Sequence, residues 1–168
     1  MWEQGAKTRS VSYATRRITK GDFDRIVEVI DHWWGGPIST LAHPVFFYEL
    51  GRYARLVVDD TDEIVGFLLG FVSEEGGRTG YVHLVGIHPE HRRRGVARTL
   101  YDEFQRDCGN DECVRMKAIA MPGNEPSIRF HEAHGWNVDE VDCYAGPGRR
   151  RVVFSKVIAV ATPGGFAP

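Results

Sequence analysis

Tyr81-Val82-His83-Leu84-Val85-Gly86-Ile87-His88-Pro89-Glu90-His91-Arg92-Arg93-Arg94-Gly95-Val96-Ala97-Arg98-Thr99-Leu100 is the stretch on which the fold turns. It reads as a β-strand, a proline-marked turn, a basic glycine loop and a helix. Alternation puts Tyr81, His83, Val85 and Ile87 on one strand face and Val82 and Leu84 on the other. The helix carries Ala97, Leu100, Tyr101, Phe104 and Cys108 as one apolar stripe. Between the two, Gly95 stands where the helix begins, so N–H groups of the Arg92–Ala97 loop point outward without intrahelical acceptors. Free N–H groups at the positive end of a helix dipole make an anion site, and phosphate is its commonest guest.

The loop is neither a P-loop, which needs Gly-x-x-x-x-Gly-Lys-Ser/Thr, nor a Rossmann turn, which needs spaced glycines. Arg92-x-x-Gly95-x-Ala97 resembles the acetyl-CoA motif of the GNAT superfamily of N-acetyltransferases, Gln/Arg-x-x-Gly-x-Gly/Ala, at every fixed position. A second stretch, Asn124-Glu125-Pro126-Ser127-Ile128-Arg129-Phe130-His131-Glu132-Ala133-His134-Gly135-Trp136, resembles the family's Asn-x-x-Ala/Ser-x-x-x-Tyr-x-x-x-Gly-Phe segment. His131 stands where the family has tyrosine.

Working outward from the loop, a chain of 168 residues holds one domain with a real core and is short for two. A net charge of −2 argues against a general nucleic-acid binder, despite the clusters Arg92–Arg94 and Arg149–Arg151. The longest apolar run, Ile64 to Val72, is far short of a membrane span. No signal pattern opens the chain. Cys108, Cys113 and Cys143 lack metal or disulfide spacing and read as buried, reduced thiols of a cytoplasmic protein.

In chain order, a polar start gives way to a strand over Ser12–Ile18. A capping box at Thr19–Asp22 opens a helix that buries Phe23, Ile26, Val27 and Ile30. It runs into Trp33-Trp34-Gly35-Gly36-Pro37. Leu41–Leu50 reads as a second helix, and Ala54–Asp59 with Ile64–Ser73 as a hairpin. After the central unit come a strand over Val114–Met121, a helix from Pro126 to His134, and a hairpin of Trp136–Tyr144 with Val152–Val160. The tail, Thr162–Pro168, is rich in proline and glycine and reads as disordered.

This order is similar to the GNAT fold from about Ser12 to Val160. The resemblance implies an α+β fold in one domain spanning 1–168, with a single central, mixed and mostly antiparallel sheet flanked by helices. It implies a splay between the Tyr81–Ile87 and Val114–Met121 strands that takes the pantetheine arm of acetyl-CoA. Val85, Gly86 and Ile87 would line that arm, Arg92, Arg93, Arg94, Gly95, Val96 and Ala97 would hold the diphosphate, and Asn124 and Ser127 would flank the arm.

Two histidines are candidates for proton handling. His83, with Tyr81 before it, falls where a member of the family carries paired histidines that take the amine's proton. An attacking amine must be neutral, and imidazole titrates near neutrality, which suits a general base. The other reading of His83 is a half-buried strand histidine satisfied by a backbone carbonyl. His131, at the tyrosine position, is the candidate to protonate the leaving thiolate, or else packs beside Phe130. His83, His88 and His91 do not make a metal set, because His88 and His83 fall on opposite strand faces.

Trp33, Trp34, His43, Phe46, Phe47 and Tyr48 cluster where the family's acceptor site is walled. With Tyr81 and the acids Asp31 and Glu49, they read as an amine pocket, as core, or as a homodimer interface. No cysteine falls in either motif, which weakens an acyl-enzyme route. The expectation is direct acetyl transfer to a small-molecule amine. The alternatives are acetylation of a protein N-terminus or lysine, and an idle acyl-CoA-binding regulatory domain.

Overall fold

The computed structural model describes residues 11–74 and 77–158, apart from the side chains of Phe47 and Tyr48. The expectations for the first ten residues and for the Thr162–Pro168 tail lie outside the described residues. Strand β1 (Ala14–Arg17) leads into helix α1 (Lys20–Trp34). Thr19 Oγ1 accepts from the Asp22 N–H at 3.3 Å while the Asp22 carboxylate accepts from the Thr19 N–H at 2.8 Å, so the expected capping box is present. Arg16 donates to the same carboxylate at 2.6 Å and holds its pKa down at about 2. Helix α1 ends at Gly35, whose left-handed φ of 73° suits glycine, with its N–H donated to the Asp31 carbonyl. Val27 is exposed on this helix; the buried stripe is Phe23, Ile26, Ile30 and Trp33.

The expected second helix is broken. A 3-10 turn at Ser39–Leu41, a single helical turn α2 (Val45–Tyr48) and another 3-10 turn at Gly51–Tyr53 take its place. Pro44 disfavours helical backbone at His43, so no continuous helix crosses it.

Strands β2 (Arg55–Val58), β3 (Ile64–Ser73), β4 (Thr79–Ile87), β5 (Arg115–Ala120), β6 (Asn137–Val141) and β7 (Arg151–Val157) complete the sheet. Helix α3 (Val96–Asn110) joins β4 to β5, and α4 (Glu125–Ala133) follows β5. The sheet order is β1-β2-β3-β4-β5-β7-β6, antiparallel throughout except for the parallel pair β4–β5. One core lies under α1 and α2, with Phe67, Leu56, Leu69 and Leu84 at its floor. The other lies under α3 and includes Phe104, Leu100, Val82, Trp136 and Phe154. Burying each such side chain stabilises the fold by roughly 1.5–3 kcal/mol.

Two features of β4 position everything that follows. Its pairing with β5 runs Thr79↔Arg115 to Val82↔Ala118 and stops, although β4 continues to Ile87 and β5 to Ala120. The sheet therefore parts in its middle, between the strands expected to splay. Second, Leu69 pairs with Leu84 and Gly70 with Val82, which leaves His83 as an extra residue on β4. This bulge corrects the simple alternation. Val85 and Ile87 pack with Val82 on the α3 side, while Leu84 joins the α1 core. Sequence periodicity assumes a perfect ladder, and one inserted residue reverses the faces beyond it.

Candidate active site

The loop after β4 has the geometry its glycine implies. Arg93 and Gly95 are both left-handed, at φ 61° and 83°, and Gly95 stands at the N-cap of α3 with no side-chain cap. No heavy atom lies within 4 Å of where a Cβ on Gly95 would sit. The first-turn N–H groups of α3 lie at the positive end of the helix dipole, with no side chain capping them.

The three arginines divide. The Arg92 guanidinium donates to the Trp33 carbonyl, and its Nε donates to the Ile87 carbonyl at 3.3 Å. It ties the end of β4 to the end of α1, so this side chain braces the loop and its charge is spent on carbonyls. Arg93 and Arg94 are exposed beside the loop. Val96 is buried in the α3 core, leaving only its backbone to the loop. Ala97 is half-buried. Gly86 has a separate structural reason: a Cβ there would overlap the Phe67 ring.

His83 projects from the bulge. Its ring stacks on Phe46, with centroids 4.3 Å apart and planes 14° from parallel. Nε2 lies 2.9 Å from the Leu41 carbonyl oxygen, and since a carbonyl only accepts, Nε2 carries the proton. Among the described residues Nδ1 has no hydrogen-bond partner. Next to it Tyr81 stacks on Phe71 at 5.2 Å, and burial pushes its phenol up to about 12, with Tyr144 adding to the shift. Tyr144, from the segment between β6 and β7, therefore stands near Tyr81. No sequence pattern tied these residues together, because the approach depends on how that hairpin lies over the sheet.

The aromatic cluster splits as well. Trp33 is 5% exposed, packed on Phe67 and His88 in the α1 core, and is not a free wall of a pocket. Trp34 is 45% exposed. Asp31 does not await an amine: its carboxylate accepts from the N–H groups of Ile38 and Ser39 at 2.7 and 2.6 Å and from Ser39 Oγ at 3.1 Å, and these bonds hold its pKa down.

At α4, Asn124 caps the helix, its Oδ1 accepting from the Ser127 N–H at 3.3 Å. His131 is 3% exposed and lies flat on Phe154, ring centroids 3.7 Å apart. Its Nδ1 donates to the Ser127 carbonyl at 2.8 Å, which leaves Nε2 to accept from the Tyr101 hydroxyl at 3.0 Å. Burial lowers its pKa to about 4. This arrangement, with the Nδ1 proton committed to a carbonyl, speaks against the proton-donor role expected of His131.

Cys108 and Cys113 are buried, and burial pushes both thiols up; Cys143 is exposed, against expectation. Among the described residues no cluster of His, Cys, Asp or Glu could hold a metal. No helix among them is long and apolar enough to cross a membrane.

A family model described as "Acetyltransferase (GNAT) family" matches residues 23–136. The chain is 30% identical over 88 residues to N-alpha-acetyltransferase 60 of Drosophila melanogaster, a match covering 45% of this chain and 32% of that protein. It is 25% identical over 123 residues to L-2,4-diaminobutyric acid acetyltransferase of Oceanobacillus iheyensis, covering 72% of this chain and 68% of the relative. The chain thus spans about a third of the fly protein's length. Among solved structures, the NatC complex bound to Gag peptide and CoA contains a chain that superposes with a TM-score of 0.75 at 14% identity, covering 88% of this chain and 99% of that one. That last likeness is one of fold.

Proposed function

The chain belongs to the GNAT acetyltransferase family, and from that premise we propose that it moves the acetyl group of acetyl-CoA directly onto the amine of a small molecule. One observation carries the reading: an uncapped helix start, a parted sheet and a histidine with a free ring nitrogen follow one another along one strand and its loop.

The residues fit the donor. The space in front of Gly95 is open, and the N–H groups at the start of α3 suit a diphosphate. Backbone N–H groups of Arg93 to Ala97 would hold that diphosphate, with Arg93 and Arg94 adding charge. Backbone groups of Val85 and Ile87 would bond the arm in the gap, flanked from α4 by Asn124 and Ser127. Acetyl-CoA when bound supplies an activated thioester. His83 Nδ1 accepts the amine's proton, directly or through one water, while Leu41 fixes the tautomer. A backbone N–H beside the bulge is the group suited to polarise the carbonyl under attack. His131 holds Tyr101 in place and does not reprotonate the thiolate.

Similarity to the diaminobutyric acid enzyme supports the small amine. A second reading, the α-amine of a polypeptide, is supported by the likeness to N-alpha-acetyltransferase 60 and by the open face of β5 and β7 opposite α3, where Val157 is 81% exposed. An idle acyl-CoA-binding domain is the third outcome. Thiol release from acetyl-CoA with a panel of amines and short peptides separates them. Release with amines supports the leading reading, release with peptides alone the second, and acetyl-CoA binding without release the third.

A further inference from the structure

The parted sheet has a floor that the donor does not use. Cross-strand registers set Phe71 opposite Tyr81, Tyr81 opposite Lys117, Lys117 opposite Ser155, and Ser155 opposite Asn137. Directly paired residues share a sheet face, so these five form one row across β3, β4, β5, β7 and β6. Its face is fixed by its neighbours: Met116 and Ala118 are buried under α3, which turns Lys117 the other way. The row begins with the aromatic pair at the acceptor cleft and continues as a cation and two neutral polar groups. Arg115, Lys117, Ser155 and Val157 line a groove of about 490 Å³ on this face.

Lys117 is half-buried, and among the described residues no carboxylate pairs with it. By register the nearest acid on this face is Asp139, two strands away and one pair further along, opposite Val153. Lys117 thus brings an ammonium to this face with no carboxylate set against it among the described residues. Lys117 pairs with Tyr81, two residues before His83 on β4.

Resting on the acetyltransferase reading above, we infer that Lys117 reads a carboxylate on the acceptor, on the far side of Tyr81 from the amine that is acetylated. The acceptor lies across Tyr81, with its amine toward His83 and its acid group on the β5–β7 floor. Two molecules carry that chemistry: a small ω-amino acid, or a peptide with an acidic residue next to its amino terminus.

The test compares kcat/KM for matched acceptors in the wild type and in Lys117→Gln. One pair is Ala-Glu-Ala-amide against Ala-Gln-Ala-amide, and the other is 4-aminobutyrate against its amide. The wild type should prefer the acid in at least one pair by about tenfold, as a charge-assisted contact implies. Lys117→Gln should bring that ratio near one while acetyl-CoA affinity and the circular dichroism spectrum stay unchanged. The pair that responds identifies the source of the carboxylate. No preference in either pair, or a preference that survives Lys117→Gln, overturns the assignment. If no acceptor releases thiol, the acetyltransferase reading has failed. Calorimetry of the acetyl-CoA-loaded protein with the four compounds then decides about Lys117. Acid-selective binding lost in Lys117→Gln supports the site, and absent or unchanged binding overturns it.

Discussion

The ring of His83 is pinned to the carbonyl of Leu41 at 2.9 Å, across a gap of 42 residues in sequence. The half-buried, carbonyl-satisfied histidine and the general base were alternative readings of the sequence. In the structure they are compatible, because one ring nitrogen is satisfied and the other has no partner among the described residues. His83→Gln keeps the bond to Leu41 and removes the base. We expect kcat to fall at least about tenfold. The deficit should shrink at high pH, where free amine is abundant. Wild-type kcat with an unchanged acidic limb of the pH profile would make His83 purely structural.

Gly95→Asp should abolish acetyl-CoA binding. The substitution places a carboxylate where the anion belongs and puts a residue with a Cβ at φ 83°. The backbone cost is about 1–2 kcal/mol, too little to unfold a domain. Calorimetry on protein with an unchanged circular dichroism spectrum is the check, and full affinity would refute the diphosphate site.

Arg92→Ala and the double variant Arg93→Ala/Arg94→Ala should differ in kind. The first releases two carbonyls that join β4 to α1, so it should lower Tm and disorder the loop. The second should leave Tm nearly unchanged and weaken acetyl-CoA binding in a salt-dependent way. Identical effects on Tm and affinity from both would contradict this division.

His131 makes stability pH-dependent. Its folded pKa of about 4 lies below the ordinary value of 6.5, so between these the unfolded chain takes up a proton that the folded one refuses. Its contribution is fully present above pH 6.5 and is lost as pH falls toward 4, by about 3 kcal/mol in all. Melting curves across that window should show the loss in the wild type and flatten in His131→Phe. His131→Phe should lower kcat less than His83→Gln does.

Trp33→Ala should cost about 3–5 kcal/mol of stability, as expected for a buried aromatic. Trp34→Ala should cost under about 0.5 kcal/mol, as surface changes do. Any rise in acceptor KM should follow Trp34. A comparable rise in Trp33→Ala at full stability would return that residue to the pocket.

Local patterns in the sequence carried far. The capping box at Thr19 and Asp22, the glycine at the start of α3 and the succession of strands along the chain were legible because each rests on neighbours in sequence. The errors lay where distant parts of the chain meet. The bulge at His83 arises from pairing with β3, the duty of Arg92 from the carbonyl of Trp33, and the neutrality of His131 from Phe154 and Tyr101. Trp33 and Trp34 show the limit plainly: adjacent and identical, they are separated only by which side of α1 meets the sheet.

The parting of β4 from β5 after Val82 and Ala118 leaves two raw edges inside the sheet. Every second residue of a strand turns its N–H to the same side, so amides of β4 beyond Val82 face that gap without a strand to receive them. In deuterated solvent they should exchange quickly in the free protein, although β3 protects the opposite edge of the same strand. A donor lying in the gap stands in for the missing neighbour and would slow them. Protection confined to one edge of β4 would report occupancy of the gap without any turnover.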